Sequence, residues 1–171
     1  MDRDTAFRDY VAERRPQLYR SAYLLCGDPH RAEDVVQDAL VRLYVAWPRV
    51  TRADNVDAYA RRIVVNSHYD QTRRPWRRES AVARGPERPI PEGFPPEDAQ
   101  TLWAALRRLP TGQRRVVVLR HLWGLSVDET AADLGISPGT VKSQTRDALA
   151  SLRRALAPDF EPQVARREED R

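Results

Sequence analysis

The chain has 171 residues, 41% of them hydrophobic, with 29 basic and 25 acidic side chains and a formal net charge of +4. That length suits one domain or two small ones. No stretch reaches the roughly 20 apolar residues of a membrane span, the charged start MDRDTAFRDY predicts no signal peptide, and a lone cysteine, Cys26, excludes an internal disulfide, so no membrane insertion and a reducing cytoplasm are expected.

From Asp4 to Leu25, apolar residues at Phe7, Val11, Leu18, Ala22 and Leu25 keep a helical spacing. Pro16 predicts a kink or a split in that run, and Gly27 ends it. Asp28 and Pro29 restart a helix as cap and first-turn proline. Its apolar stripe is Val35, Val36, Ala39, Leu40, Leu43, Tyr44 and Trp47, and Pro48 is expected to stop it. A third helix, capped by Asp54 or Asn55, runs to about Arg74, where Pro75 ends it. Residues 75–96 hold six of the thirteen prolines, two glycines and mixed charge, the pattern of an extended linker. Leu102, Trp103, Leu106 and Leu109 mark a fourth helix stopped by Pro110, and 113–122 a fifth with Val116, Val117, Leu119 and Leu122 inward.

The next segment, SVDETAADLGISPGTVKSQTRDALASLRR, is the most informative. Ser126 with Glu129 forms a capping box. Gly135 suits the left-handed position past a helix end. Ser137 and Pro138 supply an N-cap and a first-turn proline. Two helices around one tight break are helix-turn-helix grammar, with the second helix entering a DNA major groove. Thr140, Lys142, Ser143 and Gln144, with Arg146 one turn on, should reach base edges. Residues 101–157 carry nine basic and four acidic side chains, net +5, against +2 for 1–76, −1 for 77–100 and −2 for 158–171. The local charge favours a polyanion partner over a hairpin that merely packs. The expected fold is all-α: two small helical domains at 1–75 and 98–157, a flexible Pro-rich linker at 76–97, and a charged, frayed tail at 158–171.

The third helix carries Arg61, Arg62, Arg73 and Arg74 beside Tyr59, Asn66, His68 and Tyr69. Arginines can neutralise phosphates while aromatics stack on unpaired bases; the same pattern fits a surface helix with snorkelling arginines. His30, His68 and His121 share no metal-ligand spacing with each other or with Cys26. No phosphate-binding glycine loop or nucleophile elbow is present. No metal site, cofactor or enzymatic constellation is expected. Cys26, in an apolar run, reads as a buried reduced thiol.

Together these segments resemble the extracytoplasmic-function (group 4) sigma factors of bacterial RNA polymerase, actinobacterial members most, from about Phe7 to Leu156. AEDVVQDALVRLYVAW resembles region 2.2. Tyr59, Asn66, Asp70 and Arg73 match the region 2 pattern of an aromatic, Asn, Asp and Arg. LRRLPTGQRRVVVLRHLWGLS and TVKS resemble the lead-in to, and the start of, the region 4 recognition helix.

The resemblance implies an alternative sigma factor, not an enzyme. Asp34, Gln37, Asp38 and Arg42 would hold the β′ clamp helices of core polymerase. Arg52, Asn55, Tyr59, Arg61, Arg62, Asn66, Asp70, Arg73 and Arg74 would open the −10 element and capture an unstacked base. Ser137, Thr140, Val141, Lys142, Ser143, Gln144 and Arg146 would read the −35 element, with region 4 resting on the β flap. Tyr59 stands where many members carry tryptophan, Gln144 where many carry arginine, and Asp147 where a basic residue is common; these departures bear on the −35 preference, not on the role. With no long regulatory domain after region 4, control by an anti-sigma factor is expected. Two rivals stay open: a stand-alone dimeric helix-turn-helix regulator, and a sigma-like interaction module without initiation activity.

Overall fold

The computed structural model describes residues 2–53, 55–73 and 96–157, with backbone only at 68–73 and 96–99. Seven α-helices account for the described architecture: α1 (Arg3–Cys26), α2 (Pro29–Arg52), α3 (Val56–Arg73), α4 (Pro96–Arg107), α5 (Thr111–Val117), α6 (Val127–Leu134) and α7 (Pro138–Leu156). A π-helical turn, Val118–Leu122, extends α5. No strand occurs among the described residues. The expected linker lies outside them except for residues 96 and 97, which open α4, and the expected tail lies outside them entirely.

Most boundaries follow local chemistry. Gly27 closes α1 at φ +68. The Asp28 side chain accepts from Arg31 N at 2.8 Å and starts α2. Two prolines behave differently from expectation. Pro16 sits inside one continuous α1, and α2 runs through Pro48 to Arg52. A mid-helix proline frees the carbonyl four residues back. For Pro48 that carbonyl belongs to Tyr44, and the Arg3 guanidinium donates to it from α1, so the freed acceptor finds a partner and the helix continues.

The first three helices enclose a core of Leu18, Ala22, Val35, Val36, Leu43, Trp47 and Val64. Phe7 packs edge-on against Tyr44 and Trp47 at its rim. A second cluster joins the two halves: Leu24 and Leu25 of α1 and Val65 of α3 pack with Leu106, Leu109, Leu119, Ala148 and Leu152. Where sequence reading suggested domains connected only by a tether, the described halves share a buried core. The Trp103 ring occupies the position a Cβ on Gly27 would need, 1.5 Å from its Cε2. Arg114 fastens the junction: its guanidinium donates to the carbonyls of Leu25, Leu106, Arg107 and Leu109 at 2.9–3.2 Å. It thereby satisfies orphan carbonyls at the ends of α1 and α4, and burial lowers its pKa from the ordinary value.

Candidate nucleic-acid and protein interfaces

The helix-turn-helix forms as its caps dictate. Ser126 Oγ accepts from Glu129 N at 3.1 Å, and Glu129 Oε2 accepts from Ser126 N at 2.7 Å. That second bond lowers the Glu129 carboxyl below the ordinary carboxylate range. Gly135 takes φ +65 and ends α6. Ser137 Oγ accepts from Thr140 N at 3.1 Å and starts α7. Val116, Ala131 and Val141 form the small core between the two helices.

That core corrects one expected DNA contact. Val141 is 0% exposed; it anchors α7 and cannot reach a base. The spacing Val141, Ala148, Leu152 on α7 was the available signal, since it marks the inward stripe. The other expected −35 residues separate by what their polar atoms already do. Ser137 and Thr140 hydroxyls bond each other at 2.8 Å, and Ser143 Oγ donates to Thr140 O. Gln144 lies over α5, with its Nε2 3.2 Å from where a Cβ on Gly112 would sit. Lys142 and Arg146 are exposed, and Arg146 pairs with the equally exposed Asp147 at 3.0 Å.

On α2, Asp34, Gln37, Val41 and Arg42 are exposed and Asp38 half-buried. Asp38 and Arg42 pair one turn apart at 2.9 Å, and Gln37 donates to Glu33 at 3.1 Å. Val41 and Val45 continue the same face at 65% and 74% exposure. Sequence reading missed both, although their i, i+3, i+4 and i+7 spacing from Asp34 and Asp38 placed them there. Beside them, Val41, Arg42, Val45, Ala46, Arg49 and Tyr59 line a groove of about 520 Å³, in which the Arg49 guanidinium stands 5.9 Å from the centre of the Tyr59 ring.

The expected −10 residues fall in three places. Arg52 and Asn55 are exposed between α2 and α3, and Tyr59 is half-buried in the groove. Arg61, Arg62 and Asn66 meet the other half of the chain: Asp133 of α6 pairs with both arginines, and Arg115 of α5 donates to Asn66 Oδ1 at 2.7 Å. Asp70 and Arg73 belong to α3 by backbone only, and Arg74 lies outside the described residues. No cluster of three or more His, Cys, Asp or Glu among the described residues could hold a metal, and no described helix is long and apolar enough to cross a membrane. Burial pushes the Cys26 thiol up to about 12.

Comparison with known proteins gives the arrangement its family. Sigma-70 region 2 matches residues 10–78, and sigma-70 region 4 matches 99–152. The RNA polymerase sigma-E factor of Streptomyces coelicolor is 41% identical, over 95% of this chain and 93% of its own length. The ECF RNA polymerase sigma factor SigW of Bacillus subtilis is 30% identical, over 88% and 89%. Among solved structures, the sigma factor RpoE of Bartonella quintana, in complex with the anti-sigma factor NepR, superposes with a TM-score of 0.73 at 26% identity, covering 91% of this chain and 99% of that one. The chain belongs to the extracytoplasmic-function sigma factors of the sigma-70 family, and as an alternative sigma factor it binds core RNA polymerase and directs promoter recognition and transcription initiation.

Proposed function

We propose that the two halves divide this work, residues 1–75 docking on polymerase and opening the −10 element, residues 98–157 reading the −35 element. The α2 face of Asp34, Gln37, Asp38, Val41, Arg42 and Val45 docks on the β′ clamp helices. The Arg52–Tyr59 segment and α3 hold the unpaired −10 strand through arginines and the Tyr59 ring. The start of α7 enters the major groove, where Lys142 and Arg146 are the free cationic groups and the turned-in hydroxyls of Ser137, Thr140 and Ser143 hold the helix end beside phosphate. Melting then follows from binding the separated strand, with no catalytic group of the chain's own. The protein works in the cytoplasm, and the NepR complex of its structural neighbour supports an anti-sigma factor as its inhibitor.

The observation that carries this reading is the exposed Val41 and Val45 flanked by charged residues on α2. Apolar side chains rimmed by polar ones suit a protein partner, which a regulator acting alone on DNA does not require of that face. The test is run-off transcription of a fragmented genomic library with core polymerase, followed by sequencing of RNA 5′ ends. Starts sharing two upstream blocks are expected, and Val45→Asp should abolish both the starts and co-elution with core. Absence of specific starts with the unsubstituted protein, or normal core binding by Val45→Asp, refutes the reading.

A further inference from the structure

The proposed −10 face is covered by the protein's own −35 reader. Asp133 on α6 sets Oδ2 2.6 Å from Arg61 Nε and Oδ1 3.0 Å from Arg62 Nε. The Asp133 and Arg61 side chains retain only 6% and 10% of their exposure. Charges this buried need each other, since removing either strands the other. One turn along α3, Asn66 accepts from Arg115. Trp123, just past the π turn, lies 5.3 Å beneath the Arg61 guanidinium and donates Nε1–H to Ser21 Oγ at 2.8 Å. With Trp103 on Gly27 and Arg114 on Leu25, the second half is seated on the first at several separate points.

This closed form cannot occupy a promoter. The two elements, as their names state, lie about 25 base pairs apart, roughly 85 Å of duplex at about 3.4 Å per pair. Here α3 and α6 touch, and α7, with 19 residues, is only about 28 Å long.

We propose that this contact is an autoinhibitory lock, with Asp133 latched across Arg61 and Arg62 and Arg115 on Asn66, which keeps the free protein off promoter DNA until docking on polymerase separates the halves. The inference rests on the reading of α3 as the −10 face. Polymerase drives the change because only the open form can meet its two docking places at once, and a ligand shifts an equilibrium by its differential affinity for the two states. If the closed form holds about nine-tenths of free molecules, unlocking raises apparent DNA affinity about tenfold.

The test uses the full chain with dyes at Asp9→Cys on α1 and Ala150→Cys on α7 in a Cys26→Ala background, read by single-molecule energy transfer. Free protein should show high transfer, and core polymerase should convert it to low transfer. Two variants should open the free protein: Asp133→Asn, which neutralises the latch isosterically, and Trp103→Ala, which leaves every charge in place. Both should bind a short fluorescein-labelled single-stranded DNA of mixed sequence about tenfold more tightly without polymerase, with unchanged helical content by circular dichroism. The lock is overturned if free unsubstituted protein is already open, if the variants stay closed, if opening brings no gain in binding, or if only Asp133→Asn gains, which is a charge effect. The reading of α3 fails by a different result: normal promoter opening by holoenzyme carrying Asn66→Ala.

Discussion

Two adjacent residues on α7 should fail in opposite ways when changed to alanine. Val141 is fully buried against Val116 and Ala131, while Lys142 is exposed. Val141→Ala removes two methyl groups, about 1.6 kcal/mol of transfer free energy at about 0.8 kcal/mol each. A void of up to about 50 Å³ adds as much as ~1.2 kcal/mol at about 24 cal/mol per Å³. The expected loss is therefore about 2–3 kcal/mol, which should lower a urea midpoint by roughly 1–2 M. Lys142→Ala should leave that midpoint within about 0.5 kcal/mol of its original value, as surface changes do. In a salt titration of duplex binding under folding conditions, Lys142→Ala should flatten the slope of log K against log salt by about one unit, and Val141→Ala should leave the slope alone. The reverse pattern, with a flattened slope for Val141→Ala and lost stability for Lys142→Ala, would sink the orientation of α7 and with it the candidate −35 surface.

Two further outcomes follow from local chemistry. Ser126→Ala should cost about 1 kcal/mol, because Glu129 N loses its acceptor; an unchanged melting temperature would refute the capping box. The Glu129 carboxyl is held below its unfolded range by the Ser126 N–H, so its contribution is complete above about pH 4.3, the unfolded value, and fades as pH falls through the lower folded value. The melting-temperature gap between the unsubstituted protein and Glu129→Gln should thus close between pH 5 and 3, and a gap that widens there contradicts the assignment. Cys26, raised to about 12 by burial, should resist iodoacetamide at pH 8 until urea unfolds α1; stoichiometric labelling of native protein would show an open junction.

What the sequence discloses here is whatever chemistry closes over a few residues. Asp28, the Ser126–Glu129 box, Gly135 and Ser137 each act on backbone within four positions, so helix starts and stops could be read directly. The same reasoning misjudged Pro48, because the partner of the freed Tyr44 carbonyl is Arg3, forty-one positions away. Arg114 resembled one more basic surface residue; its four carbonyl acceptors come from three separate stretches. Val141 was legible by periodicity, but the motif it sits in drew it toward DNA. The face of α2 was legible as charge and incomplete as surface, since its two exposed valines look like core in a linear reading.

Asp133 gathers these cases into one physical point. Arg61 and Arg62 are two consecutive guanidiniums on a helix that needs cations for a phosphate backbone. Without a polyanion they repel each other and resist burial. A carboxylate forms short charge-assisted bonds to guanidinium much as phosphate does, and Asp133 supplies one oxygen to each arginine. The closed chain thus satisfies its DNA-binding cations with an anion of its own. The same substitution explains why a helix-turn-helix in a segment of net +5 keeps an aspartate nearly buried in its first helix. The residue contributes nothing to the hairpin's own core of Val116, Ala131 and Val141, and its partners lie on α3.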